Sequence, residues 1–197
     1  MDKLKREDLY SLEKYAEVRP EFRARVMEHK KNRRLSIGAN ANLYFEDKIT
    51  VQYQIQEMLR IEKIFEADGI NEELESYNPL IPDGKNWKAT FMLEFEDVEE
   101  RRVRLSELVG VEANVWMQVN GFDKIVPIYN EDMERSTESK TSAVHFMRFE
   151  LTDEMINALK SGSTLAAGID HPKYPHTVDP VADNIRDALI EDLEYSH

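Results

Sequence analysis

Residues 50–67, TVQYQIQEMLRIEKIFEA, decide how the chain is read. Ile49, Val51, Tyr53 and Ile55 alternate with polar residues, which is a strand pattern. Gln56 to Ala67 are good helix formers without glycine or proline, which favours a helix over 50–67 ending at Asp68-Gly69. As a helix, the segment sets Gln54, Met58 and Glu62 four residues apart, in one line down the apolar face. Val51, Ile55, Ile61 and Phe65 flank that line. A carboxylate there is expensive unless something pairs with it, so Glu62 is a candidate site residue. If a strand runs to Ile55, Gln54 leaves the stripe and Glu62 alone remains. Glu57 and Arg60, with Gln56, lie off the centre of the stripe, as a surface charge network or part of a site.

The chain before this segment reads as two short helices within 6–31, with Pro20 in the first turn of the second. A turn at 38–42 and a short strand at 43–45 follow. Beyond a proline-rich loop at 77–87, KATFMLEFE alternates Ala89, Phe91, Leu93 and Phe95 with mostly polar residues, a strand with one core face. A charged helix at 99–108 ends at Gly110. Asn120-Gly121 joins two apolar runs, 115–119 and 122–128, as a hairpin, and Pro127 pushes the second run toward a sheet edge. SAVHFMRFEL is a further strand. Thr152 caps a helix to Lys160, 165–169 reads as another strand, and DHPKYPHTVDP is a stiffened loop. Asp179-Pro180 open a last helix over 180–194. The sum is a single α+β domain. A mainly antiparallel sheet of five or six strands, within 88–170, is covered by helices on one side.

The 197 residues include no cysteine, which removes disulfides, thiolate nucleophiles and cysteine-ligated iron–sulfur clusters. A net charge of -13 disfavours nucleic acid and anionic membranes as partners. No secretory signal or membrane-length apolar run is present, so a cytoplasmic protein is expected. HKKNRR, 29–34, runs against the acidic balance, as the cationic last turn of a helix or as a surface for an acidic partner.

On the strand 143–151, His145 falls on the more apolar face and Arg148 on the other. An inward histidine reads as a satisfied core residue or as a ligand. Asp170 and His171, with Tyr174 and His176, sit on the stiffened loop, either a polar turn or ligands for a divalent transition metal. Glu62, His145, Asp170 and His171 are therefore the candidate metal residues, although no zinc signature such as HExxH is present. Ser136, Thr137, Ser139, Lys140, Thr141 and Ser142 read as a plain loop or an anion cradle. Nucleotide-binding loops, a nucleophile elbow and aromatic–basic RNA motifs are absent from the sequence.

FED at 45–47, QIQEMLRIEKIFEA, NPLIPDGKNWKATFMLEFED, RSTESKTSAVHFMRFEL and GIDHP together resemble an uncharacterised bacterial family, domain-of-unknown-function family 3501. The resemblance runs from Leu4 to about Leu193. It implies a gene neighbourhood with a rubrerythrin-like di-iron protein and an iron–sulfur protein resembling a heterodisulfide reductase subunit. It assigns no catalytic residue. The expectation is an accessory or binding protein in an oxidative-stress or electron-transfer system. The alternative is a metal-binding protein or metal-dependent enzyme using the Glu/His/Asp set.

Overall fold

The computed structural model describes residues 2–131, 137 and 140–194. In chain order the elements are α1 (Leu12–Lys30), β1 (Arg34–Ile37), β2 (Ala41–Phe45), α2 (Lys48–Ile61), α3 (Ala67–Tyr77), β3 (Asn86–Leu93), α4 (Val98–Glu107), β4 (Val115–Val119), β5 (Ile128–Tyr129), β6 (Val144–Glu150), α5 (Asp153–Lys160), β7 (Leu165–His171), β8 (Tyr174–Val178) and α6 (Asp183–Ile190). The class is α+β, and every strand pair is antiparallel. The strands form a five-stranded sheet, β1-β2-β3-β6-β5, and a three-stranded sheet, β4-β7-β8.

One core is shared by the two sheets. Leu43, Phe45, Trp87, Phe91 and Phe149 of the larger sheet meet Val115, Met117, Leu165 and Ile169 of the smaller, with Ile156 of α5 and Leu189 of α6. The Trp87 indole N–H donates to the Leu189 carbonyl at 2.9 Å, tying β3 to α6. Two satellite clusters hold the first three helices. Val51, Ile55 and Leu59 of α2 pack with Leu74 of α3, Leu4 and Ile81, and Tyr15, Phe22 and Val26 of α1 form the other. No helix among the described residues is long and apolar enough to cross a membrane.

The helix reading of the deciding segment holds, but α2 ends at Ile61. Lys63 takes a left-handed φ of 55°, and a new helix begins at Ala67, so Gly69 lies inside α3 rather than capping α2. The buried line of α2 is Val51, Ile55 and Leu59, about 60° around the helix from Gln54, Met58 and Glu62. Sequence periodicity alone does not set that phase, because Ile64 turns back into the α2–α3 cluster while Ile61 and Phe65 are left outside.

The two expected N-terminal helices are one. Pro20 lies inside α1, at a cost of roughly 3 kcal/mol, offset by a continuous buried face of Tyr15, Phe22 and Val26. β1 was not expected. It pairs with β2 around Gly38, whose φ of 71° suits glycine, and the Tyr174 hydroxyl lies 2.6 Å from where a Cβ would sit. That hydroxyl donates to Ile37 O at 2.8 Å and accepts from the N–H groups of Asn40 and Ala41. The stiffened loop contains β8, with Pro175 on an edge strand where a missing N–H is tolerated. The Asn120-Gly121 turn forms, but the return strand reduces to one bridge, Met117–Ile125, before the chain crosses to the larger sheet at Ile128. The last helix starts at Asp183 with Ala182 as its cap, because Val181 is first pinned to Leu165 O at 2.7 Å.

Candidate functional site

Side chains alternate across a strand, so β2 sends Leu43 and Phe45 into the shared core and Tyr44 and Glu46 to the opposite face. The register then aligns a row across four strands: Arg34, Tyr44, Thr90 and Phe146. A second row holds Ser36, Asn42, Met92 and Val144. Apart from Asn42, these rows line an open groove of about 940 Å³, walled by Met27, Lys30 and Lys31 from the end of α1 and by Gln54 from α2.

Glu46 is the chemical centre of this groove. It is 7% exposed, and its carboxylate accepts from three neutral donors: the Thr90 hydroxyl at 3.0 Å, the Thr50 hydroxyl at 2.7 Å and the Gln54 amide at 2.9 Å. A carboxylate has about four acceptor positions, so one remains. The cations of the site stand at the rim. Arg34 stacks on Tyr44 at 5.5 Å and reaches Glu94 at 3.6 Å, and Lys31 pairs with Glu28 at 2.5 Å. Lys30 lies over the Tyr53 ring at 5.7 Å, outside ion-pair distance of every carboxylate among the described residues.

Behind the groove lies a closed polar clasp. Asp47 caps α2 by accepting from Thr50 N at 2.9 Å, and its other oxygen is 2.5 Å from His29 Nε2 and 3.4 Å from Arg33 Nε. Arg33, 2% exposed, donates to the carbonyls of Phe45 at 3.0 Å, Glu46 at 3.2 Å and Ala188 at 3.3 Å, and pairs with Asp192. Burial pushes the Asp192 carboxyl up to about 6 against the pull of Arg33, with Asp47 adding to the rise. The clasp joins α1, β2 and α6, and its donors and acceptors serve one another.

The expected metal residues occupy separate settings. Glu62 is exposed at the end of α2, where its backbone N–H closes the helix onto Met58 O at 2.9 Å. This corrects the buried carboxylate expected in the stripe. His145 points inward as expected and is fully buried. Its Nε2 lies 3.0 Å from Thr141 Oγ1 and 3.1 Å from Ser142 O, its Nδ1 is 3.3 Å from Asn130 Oδ1, and Glu112 is 3.9 Å away. His171 is 3.1 Å from Val109 O through Nε2 and accepts from Lys173 N at Nδ1. Asp170 accepts from Trp116 Nε1 at 2.9 Å and Lys124 Nζ at 2.7 Å, which hold its carboxyl below the usual range, Lys124 most. Trp116 reaches it by lying across Gly168, where any Cβ would collide at 2.3 Å. No three His, Asp or Glu gather as a ligand cluster among the described residues. His145, Asp170 and His171 each engage separate partners and Glu62 stands exposed at the end of α2, so the four residues are not gathered into one ligand set.

The other candidates also have partners. Gln54 belongs to the Glu46 network. Glu57 accepts from Arg19 at 2.7 and 2.8 Å and from the Tyr15 hydroxyl at 2.8 Å, and is held at about 2, chiefly by Arg19. Arg60 stands 3.6 Å from it. Arg148 is clamped by Glu131 at 2.8 and 3.0 Å and also pairs with Glu150. Lys140 is exposed and closes a turn with Thr137. Ser136 and Ser139 of the expected anion cradle lie outside the described residues.

Sequence reasoning missed Glu46, Asp47, Arg33 and Asp192. A signal existed in the acidic pair of FED directly before a helix, and in an arginine inside a basic run that lies two residues before the core residue Leu35.

No curated protein matches the chain. A solved structure does, a crystal structure of a novel protein of unknown function from Burkholderia pseudomallei K96243. It is 48% identical, with a TM-score of 0.92 over 98% of this chain and 100% of that one. The profile of one family, described as proteins of unknown function (DUF3501), matches residues 3–193, and the chain belongs to that family.

Proposed function

We propose that this is an accessory binding protein whose working surface is the groove on the outer face of the five-stranded sheet. The observation that carries this reading is Glu46. A nine-tenths buried carboxylate with only neutral donors is costly to keep in a fold. It lies in a groove of ligand size, about 940 Å³, whose lining combines Met27, Met92, Val144 and Phe146 with the cations Lys30, Lys31 and Arg34. A fragment screen read by amide chemical shifts tests it. Binders should cluster on Tyr44, Thr90, Met92 and Phe146 and disappear in Met92→Trp, which fills the groove. Hits scattered over the surface, or indifferent to Met92→Trp, would remove the groove as the working site.

A second reading is favoured by a different observation. Ile61 and Phe65 are 60% and 72% exposed where α2 turns into α3, beside a cleft of about 470 Å³ lined by Leu9, Ile64 and Ile70. Exposed apolar groups of this kind suit a protein partner. The family resemblance points to a rubrerythrin-like or iron–sulfur protein. Pull-down from native cells should recover such a protein with the wild-type chain and lose it with Phe65→Ser. Recovery of neither kind of protein, or equal recovery by Phe65→Ser, would end this reading.

A further inference from the structure

We infer that the groove takes a small zwitterion with separated ends: an amine held on Glu46 at the floor, an apolar body, and an acid at the rim. The inference rests on the groove being the binding surface and adds the class of ligand.

The floor asks for a cation. The Glu46 carboxylate has three neutral hydrogen-bond donors and an acceptor position left over. Its immediate surroundings are short of positive charge. Arg33 contacts only its backbone carbonyl, and that guanidinium already serves Asp47 and Asp192. An ammonium reaching Glu46 would make a charge-assisted bond in a dry setting, the strong kind.

The rim asks for an anion. Lys30, Lys31 and Arg34 stand together at the mouth, on a protein whose net charge is -13. Lys30 is the most available, since it faces an aromatic ring and no carboxylate among the described residues. Between the ends, Met27, Met92, Val144 and Phe146 offer hydrocarbon. Methionine packs adaptably around chains of varied shape.

The register supplies a length. Arg34 and Thr90, which donates to Glu46, lie two strands apart in one row. At the usual strand spacing that is roughly 10 Å, the reach of a chain of about eight carbons. A ligand carrying both charges at one end would satisfy only one end of the groove.

Calorimetry with three probes decides the matter: ω-aminooctanoate, octanoate and octylamine. The zwitterion should bind about tenfold or more tightly than either single-headed probe. Glu46→Gln should reduce it to the level of octanoate, and Lys30→Gln to the level of octylamine. Thermal melts establish that each variant is folded; if Glu46→Gln is not, the ranking of the three probes on the wild-type protein still decides. Octanoate binding as tightly as the zwitterion, with no effect of Glu46→Gln, would overturn the inference and leave the groove as a site for plain acids. Octylamine binding as tightly would overturn it in favour of a cation site. No binding of any probe, with fragments still clustering on Tyr44 and Phe146, would sink the zwitterion alone. Loss of the fragment cluster as well would sink the groove with it.

Discussion

Glu46 and Asp47 are chain neighbours and equally buried, at 7% exposure each, yet they belong to two different kinds of polar region. Asp47 faces the clasp, where His29 and Arg33 supply positive or protonatable partners and Asp192 completes the set. Glu46 faces the groove, where its donors are neutral and the cations are held back at the rim. The difference follows from the α2 start. Asp47 must turn toward the first-turn N–H groups to cap the helix, and that turn carries its second oxygen to His29 and Arg33. Glu46 keeps the alternation of β2 and points to the opposite face of the sheet. A region that satisfies itself holds elements together, whereas the one left charge-incomplete is the surface we propose for binding.

Breaking the clasp should have the largest effect. Arg33→Met leaves Asp47 and Asp192 buried without their guanidinium, and urea denaturation should show a loss of about 3–5 kcal/mol. Arg33→Met with Asp192→Leu should recover much of it, because the charge and its partner then leave together. A loss under about 1 kcal/mol for Arg33→Met alone would mean that the clasp is as tolerant as the groove.

The pH dependence of the clasp comes next. Asp192 titrates near 6 in the fold against an ordinary 3.8, so folding favours its protonated form. Its stabilising contribution is complete below about 3.8 and is lost as pH rises through about 6. The change amounts to up to about 3 kcal/mol. The difference in stability between wild type and Asp192→Asn, measured from pH 3.5 to 7, should follow that curve. Wild-type stability that rises with pH relative to Asp192→Asn would reverse the assignment.

Glu57 is an intermediate case, a half-buried acid with a cation of its own. Held at about 2 by Arg19 and then Tyr15, it contributes stability that is complete above its ordinary 4.5 and lost as pH falls through about 2. Glu57→Gln should cost about 1–2 kcal/mol at neutral pH by chemical denaturation, and less in acid. The smallest effect is expected in the groove. Glu46→Gln can keep its oxygen toward Thr50 and Gln54 and turn its amide N–H toward the Thr90 hydroxyl, which can also accept, so its cost should stay within about 1 kcal/mol. A cost comparable to that of Arg33→Met would put Glu46 on the structural side of the comparison and weaken the binding proposal.

Much of the fold was legible. Alternation placed β3 and β6, and capping residues marked α5 and the end of α4, because those signals are local. The inward direction of His145 followed from the same alternation. Pro20 was misread because a proline signals a helix start when only neighbours in sequence are considered, and the packing of Tyr15, Phe22 and Val26 outweighs it. Glu62 was misplaced because helix phase was judged from the α2 residues alone, while Lys63 and Ile64 redirect the chain into a second helix. Of the candidate site, the resemblance had marked FED and alternation had turned Val144 and Phe146 away from the core, but their meeting with Lys30, Gln54 and Thr90 was not visible.

By itself the sequence determined an α+β chain with antiparallel pairing, free of thiol chemistry and strongly acidic, because composition, periodicity and turn residues are properties of short stretches. Only the tertiary structure decided which polar groups are buried together. Arg33 and Asp192 lie at opposite ends of the chain, and Arg34, Tyr44, Thr90 and Phe146 share a row only through strand register. A charge on one residue has no meaning for stability or binding until packing removes the water around it and supplies, or withholds, its partner.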